Sequence, residues 1–170
     1  MQNNRNNGDA YAIILAAGKG SRFDPSGAQN KLLQTTSDGK TVALAAATTM
    51  LSVLPVVAAV VRDADDALAV ALEKLGCKLV ICPDADQGMA TSLVSALSQY
   101  QDADGWLIAL GDMPHVQSGT IAALVTQLRN GADIVAPFYQ GERGNPIGFS
   151  PRHLAELLLL KGDQGARALL

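Results

Sequence analysis

Short apolar runs punctuate the chain at Tyr11–Leu15, Val56–Val61, Lys78–Cys82, Trp106–Leu110 and Asp133–Phe138. They are rich in Val and Ile and nearly continuous rather than alternating, the pattern of strands covered on both faces. Between them lie Thr41–Leu51, Ala64–Leu75, Met89–Tyr100 and Gly119–Arg129, where apolar residues recur at helical spacing. Asp63 is placed to cap the second of these helices, Gly76 to close it, and Ser118 to cap the fourth. Strands alternating with helices imply βαβ units, right-handed crossovers and a mainly parallel sheet, hence a three-layer α/β/α domain. Ligands of such sheets bind beyond the carboxyl ends of the strands. The segments after Leu15 and Leu110 are therefore the places to look.

After Phe138 the pattern changes. Tyr139-Gln-Gly-Glu-Arg-Gly-Asn-Pro146 is dense in turn formers, and Ile147–Ser150 reads as a short strand. A helix is expected over Pro151–Leu160 and a last one over Gln164–Leu170, with Asp163 as its cap. No repeat, low-complexity tract or linker divides the chain. With 170 residues, 48% hydrophobic and 17% charged, it reads as one domain over residues 11–170 behind a disordered tail, residues 1–10. That tail, MQNNRNNGDA, holds no apolar core of signal-peptide length, which makes the cytoplasm the expected location. The apolar stretch from Val42 to Val61 is broken by Thr48, Thr49, Ser52 and Pro55 into a buried helix and a strand, so no membrane span is expected.

A net charge of −3 offers no global attraction to nucleic acid or anionic membrane, so a site for a polyanion must be built from local cations. Lys19, Arg22, Lys31 and Lys40 form such a cluster in sequence. Cys77 and Cys82 flank a strand, and at ~3.3 Å per residue their Cα atoms would lie roughly 16 Å apart, beyond disulfide reach. With only two histidines, His115 and His153, they make no zinc-site spacing.

The stretch LAAGKGSRF, Leu15 to Phe23, resembles a phosphate loop but fits neither familiar form. A Walker loop needs GxxxxGK followed by Ser or Thr, which Gly18-Lys19-Gly20-Ser21 does not supply. The dinucleotide fingerprint needs a third Gly where Phe23 stands. What remains is a strand followed by small residues, Ala16-Ala17-Gly18, then Lys19, Gly20 and Arg22, a backbone free to curl round a triphosphate with its N–H groups inward. Taken alone it reads first as a plain strand-to-helix turn with solvated cations. Leu110-Gly-Asp-Met-Pro114 presents Asp112 at a strand's carboxyl end, where a Mg²⁺ bridging triphosphate oxygens would be held, or where a turn aspartate would sit.

LAAGKGSRF with Lys31-Leu-Leu33, Gly88-Met-Ala-Thr-Ser-Leu93, Leu110-Gly-Asp-Met-Pro114, Gly144-Asn-Pro146 and Gly162-Asp-Gln-Gly-Ala-Arg-Ala-Leu-Leu170 together resemble the molybdenum cofactor cytidylyltransferase group of the MobA-like nucleotidyltransferases, in order and spacing from Tyr11 to Leu170. The resemblance implies a Rossmann-like fold of the nucleotide-diphospho-sugar transferase type and a Mg²⁺-dependent reaction. In that reaction an acceptor phosphate attacks the α-phosphate of an NTP and pyrophosphate leaves.

On this resemblance Arg22, Lys31 and Asp112 are the catalytic candidates, with Asp112 the metal ligand. Leu15, Ala16, Ala17, Gly18, Lys19, Gly20, Lys31, Gly88 and Ser92 would bind the nucleotide, and Arg143, Asn145, Pro146 and Arg167 the acceptor. Such transfer needs in-line positioning and charge neutralisation rather than a nucleophilic side chain. Leu15-Ala-Ala-Gly18 is similar to the cytidylyl form, whereas guanylyl members carry LAGG, so CTP is the expected donor. The expected acceptor is a molybdopterin-type cofactor, with a molybdenum hydroxylase as its recipient.

Other readings stay open in the sequence. Gly88 and Ser92 also fit a Gly before a helix with Ser on its polar side, and Asp163 also fits a simple N-cap. Many family members have His where Asn145 stands; a neutral amide cannot become cationic, so charge at the acceptor would fall to Arg143 or Arg167. Asn145 also fits a turn residue restricted by Pro146. In the family a further strand with a second acidic motif usually follows the helix ending Ala-Leu-Leu, so this chain is expected to lack its last strand. The alternatives are a related enzyme using another NTP or another acceptor, a sugar phosphate or phospholactate, and a non-catalytic chaperone that binds nucleotide or cofactor.

Overall fold

The computed structural model describes residues 9–17, 42–111, 113 and 116–170. Its strands are β1 (Tyr11–Leu15), β2 (Val57–Val61), β3 (Lys78–Ile81), β4 (Trp106–Leu110), β5 (Ile134–Val135), β6 (Phe138–Tyr139), β7 (Glu142–Arg143) and β8 (Ile147–Phe149). The helices are α1 (Val42–Leu51), α2 (Ala67–Leu75), α3 (Met89–Gln99), α4 (Ser118–Arg129) and α5 (Leu154–Leu158). Six strands form one sheet in the order β3-β2-β1-β4-β8-β5, and β6 and β7 pair as a separate hairpin. β1 through β4 run parallel, whereas β8 is antiparallel to both β4 and β5. The sheet is thus mixed and mainly parallel.

Side-chain alternation along the strands divides the core into two layers. Ala12 and Ile14 of β1, with Val57, Ala59 and Val61 of β2, pack against α1, α2 and α4 through residues such as Met50, Leu72 and Ile121. Ile13, with Ala58 and Val60, faces α3 and α5 through Leu93, Leu97 and Leu157. Every residue of β2 is buried, so the run has no polar face, as a strand between two helical layers requires.

Several boundaries differ from the sequence expectation, each for a local reason. The expected strand Asp133–Phe138 is two elements, because Pro137 has no N–H to continue a ladder: β5 pairs with β8, and Phe138 belongs to the hairpin. Asp63 does not cap α2. Its carboxylate accepts the N–H of Asp65 at 2.9 Å, closing a turn, and Asp66 occupies the N-cap position. Gly76 does close α2, with φ 120°. Ser118 is the first residue of α4, behind Gln117 as N-cap.

The helix expected from Pro151 is a 3₁₀ turn, Pro151–His153, followed by α5. The last helix is a 3₁₀ turn over Ala166–Leu169 capped by Gly165, not by Asp163. The packed chain also reaches two residues ahead of Tyr11: Ala10 is buried, and the Asp9 carbonyl accepts the N–H of Asp104 at 3.0 Å. Among the described residues no helix is long and apolar enough to cross a membrane.

Candidate functional site

The parallel register puts the carboxyl ends of β1 and β4 side by side, Leu15 opposite Leu110. The ladder continues past both strands: Ala16 donates its N–H to the Val60 carbonyl at 2.9 Å, and Gly111 donates to the Leu15 carbonyl at 3.1 Å. Ala16 and Ala17 on one strand and Gly111 on the other therefore leave the sheet together. Both alanines are buried, Ala16 in the α1, α2 and α4 layer and Ala17 in the α3 and α5 layer. Of the expected nucleotide and metal residues, Gly18, Lys19, Gly20, Arg22, Lys31 and Asp112 lie outside the described residues.

A residue absent from the sequence expectations holds this corner. Arg62 follows the last residue of β2, and its Nε donates to the Ala17 carbonyl at 2.6 Å. Its Nη2 forms an ion pair with Asp86, in the 3₁₀ turn Ala85–Gln87 before α3. The available signal was positional: a cation directly after an apolar strand stands at the ligand end of a parallel sheet. Behind it, Ala16, Ala17, Val61, Arg62, Asp66, Leu68 and Ala69 line a recess of about 30 Å³. That is room for about one water molecule, far below the several hundred Å³ of a small-molecule pocket.

Gly88 is the N-cap of α3 with φ 123°, and a Cβ added there would lie 2.1 Å from the Gly162 carbonyl oxygen. Two constraints thus select glycine: a backbone conformation that L residues rarely adopt, and a backbone pressed against it. The same Gly162 carbonyl accepts the N–H of Ala90 at 3.0 Å, satisfying one of the free donors at the helix start. Gly165 is pressed in turn against Met89, whose Sδ would lie 2.8 Å from an added Cβ. Ser92 is the one buried polar residue among the described residues, so it is not on a solvated helix face.

The acceptor candidates also converge. Arg143 and Asn145-Pro146 follow one another out of β7, and Arg167 Nη2 donates to the Arg143 carbonyl at 3.3 Å. The Asn145–Pro146 peptide is cis. The Gly162–Arg167 segment therefore touches α3's start at one end and the β7 strand at the other. Asp163, expected as a cap, sits in the turn between them.

Among the described residues no three His, Cys, Asp or Glu side chains come together as a metal-holding group. The groups with displaced titration lie at the other end of the sheet. Burial pushes the Cys77 thiol up to about 11. Burial, then the negative charges of Asp102, Asp9 and Asp104, raises Tyr11, and burial raises Tyr100.

Comparison with solved structures gives the same architecture. Rv0371c from Mycobacterium tuberculosis H37Rv superposes with a TM-score of 0.78 at 26% identity, over 95% of this chain and 81% of that one. Its manganese complex gives 0.73 at 24%, with the same coverage. A nucleotidyl transferase from Methanothermobacter gives 0.66 at 24%, over 91% and 78%. A CMP:2-keto-3-deoxy-manno-octonic acid synthetase complexed with CTP, 13% identical, gives 0.67 over 94% and 82% and shares the fold. No protein of curated function matches the sequence. The family model of the MobA-like NTP transferase domain matches residues 12–170, nearly the whole folded chain. By that match, the chain belongs to the MobA-like NTP transferase family of nucleotidyltransferases.

Proposed function

We propose that this protein transfers CMP from CTP to a molybdopterin-type acceptor, releasing pyrophosphate. The observation that carries the reading is the junction of β1 and β4, where Leu15 pairs with Leu110 and the Gly111 N–H donates to the Leu15 carbonyl, so that Ala16-Ala17 and Gly111 emerge side by side. The phosphate loop and Asp112 continue from these two points in the chain. A reaction at phosphorus needs a triphosphate cradle and an acidic residue at neighbouring strand ends, and this topology brings their roots together.

In this reading, backbone N–H groups of the Ala17–Gly20 segment bind phosphate oxygens, and Arg22 and Lys31 add positive charge where it develops on the α-phosphate and the leaving pyrophosphate. A divalent cation held by Asp112 would supply further neutralisation of the triphosphate. Rv0371c was crystallised with manganese, which supports a divalent site in the family. Gly88 and Ser92 border the nucleoside. Arg143, Asn145, Pro146 and Arg167 hold the acceptor, whose phosphate oxygen attacks the α-phosphorus as the bond to pyrophosphate breaks.

Ala17 supports cytidine as the base. Its side chain is buried in the same layer as Ala90, two residues on from Gly88, so in this reading its methyl takes space on the nucleoside side of the site. Preference for CTP follows, because a purine needs more room.

The test is pyrophosphate release from each of the four NTPs with Mg²⁺, with and without molybdopterin acceptor. CTP with acceptor is expected to give the fastest release, and Asp112→Asn to lower it by about a hundredfold or more while leaving the circular dichroism spectrum unchanged. Preferential turnover of GTP would remove the cytidine assignment. Nucleotide binding without release under any acceptor would replace the enzyme with a binding module.

A further inference from the structure

Arg62 lies outside every motif that points to nucleotidyl transfer, yet its side chain joins two segments that do carry such motifs. The Nε and Nη2 edge of its guanidinium faces two acceptors at once, the Ala17 carbonyl in the first loop and the Asp86 carboxylate ahead of Gly88. Its side chain is about a quarter exposed, and Asp86 about half, so the tie lies at the rim of the site rather than in the core.

We infer that Arg62 is a positioning residue for the nucleotide. It holds the root of the phosphate loop and the root of the nucleoside segment at a fixed separation before NTP arrives. This inference rests on the nucleotidyltransferase reading and deepens it by naming what pre-sets the donor site.

Three physical points carry it. A peptide unit directs its C=O and N–H to opposite sides. Holding the Ala17 carbonyl toward β2 thus fixes the direction in which the chain leaves the sheet. The carbonyl also lies two residues beyond the end of β1, so this hydrogen bond extends the anchoring of β1 past its ladder. Third, a planar guanidinium with adjacent donors can serve a carbonyl and a carboxylate together, which a lysine ammonium on a flexible stem does not reproduce. With Nε and Nη2 engaged on the Ala17 carbonyl and the Asp86 carboxylate, Arg62 acts through the two segments it joins.

Loss of this tie lowers the fraction of molecules whose site is competent to bind, and apparent affinity falls by that fraction. Chemistry in the bound complex is spared, because a bound nucleotide re-forms the arrangement. The experiment combines calorimetric titration with Mg·CTP and steady-state pyrophosphate release for wild type, Arg62→Gln, Arg62→Lys and Asp86→Asn. Arg62→Gln is expected to raise both Kd and KM for CTP about tenfold, with kcat within about twofold of wild type. Arg62→Lys should resemble Arg62→Gln despite keeping the charge. Asp86→Asn, which weakens the tie from the other side, should raise Kd about threefold.

Full recovery by Arg62→Lys would reduce the residue to a charge attracting triphosphate and overturn the inference. So would a drop in kcat at unchanged KM, or wild-type affinity in all three variants. A wild-type protein that binds no Mg·NTP would overturn the nucleotidyltransferase reading as well. A wild type that binds while the variants match it would overturn this inference alone.

Discussion

The two ends of the parallel sheet are closed in different ways. At the amino end, aromatic and apolar groups seal the structure. Tyr11 meets Tyr100 edge to face at 5.9 Å, the buried Trp106 donates its indole N–H to the Tyr100 carbonyl at 2.8 Å, and Cys77 is buried ahead of β3. At the carboxyl end, the loops are joined by polar and backbone contacts: Arg62 to Ala17 and Asp86, and Gly162 to Gly88 and Ala90. The first end buries the Cys77 thiol and part of Tyr11 and Tyr100, with the carboxylates of Asp9, Asp102 and Asp104 at its rim. The second keeps charges and main-chain groups near the surface, where a polyanionic ligand can reach them. In the proposed function, ligand contact falls at the second end and the apolar seal at the first.

The largest stability effect is expected where the carboxyl end is tightest. In Gly88→Ala the new Cβ meets backbone rather than a movable side chain, at a φ that alanine rarely adopts. The contact to Gly162 must open, at a cost of about 3 kcal/mol. Urea unfolding would show this as a lowered midpoint, and nucleotide binding would weaken with it.

Alkaline pH strikes the amino end instead. Burial raises the Cys77 thiol from 9.0 to about 11 and also raises Tyr11 and Tyr100, so between these values the folded state retains protons that the unfolded state releases. Stability therefore falls as pH rises: the thiol's contribution is fully present below about 9 and lost by about 11. Urea midpoints measured from pH 8 to pH 10.5 should report a decline of about 1 to 2 kcal/mol from the thiol. Cys77→Ala should flatten that part of the decline and leave the part due to the tyrosines.

Smaller still is Gly165→Ala. Its Cβ meets the Met89 Sδ, the end of a flexible side chain that can move away, so a loss of about 1 kcal/mol or less is expected in the same unfolding assay. A loss as large as that of Gly88→Ala would mean that the Gly162–Gly165 turn is held more rigidly on α3 than its side-chain contact implies.

Much of this organisation was legible in the chain, and the exceptions are instructive. β4 matches its expected limits because its apolar run is bounded by Gly105 and Gly111, and β1 matches although buried Ala10 and Ala16 flank it. Asp133–Phe138 misled because the apolar run passes through Pro137, where the ladder stops and the chain enters a hairpin. Asp63 misled because an aspartate two residues before another N–H can close a turn as readily as cap a helix.

At the site, Gly88 was visible as part of a motif, but its physical reason was not. That reason is the carbonyl of Gly162, distant in sequence and brought near only by the packing of α3 against the chain that follows α5. Arg62 carried no motif at all. Its importance follows from the adjacency of β1 and β2 and from the turn that delivers Asp86, both of them tertiary facts.

The central claim is that nucleotide binds at the carboxyl end of the sheet. Backbone hydrogen exchange with and without saturating Mg·CTP tests it directly. The account predicts added protection in the segments holding Leu15–Ala17, Gly111 and Asp86–Ser92, with exchange around Gly76–Cys77 and Tyr100–Trp106 unchanged. Protection appearing at the amino end instead, or none at the carboxyl end despite measured binding, would contradict it.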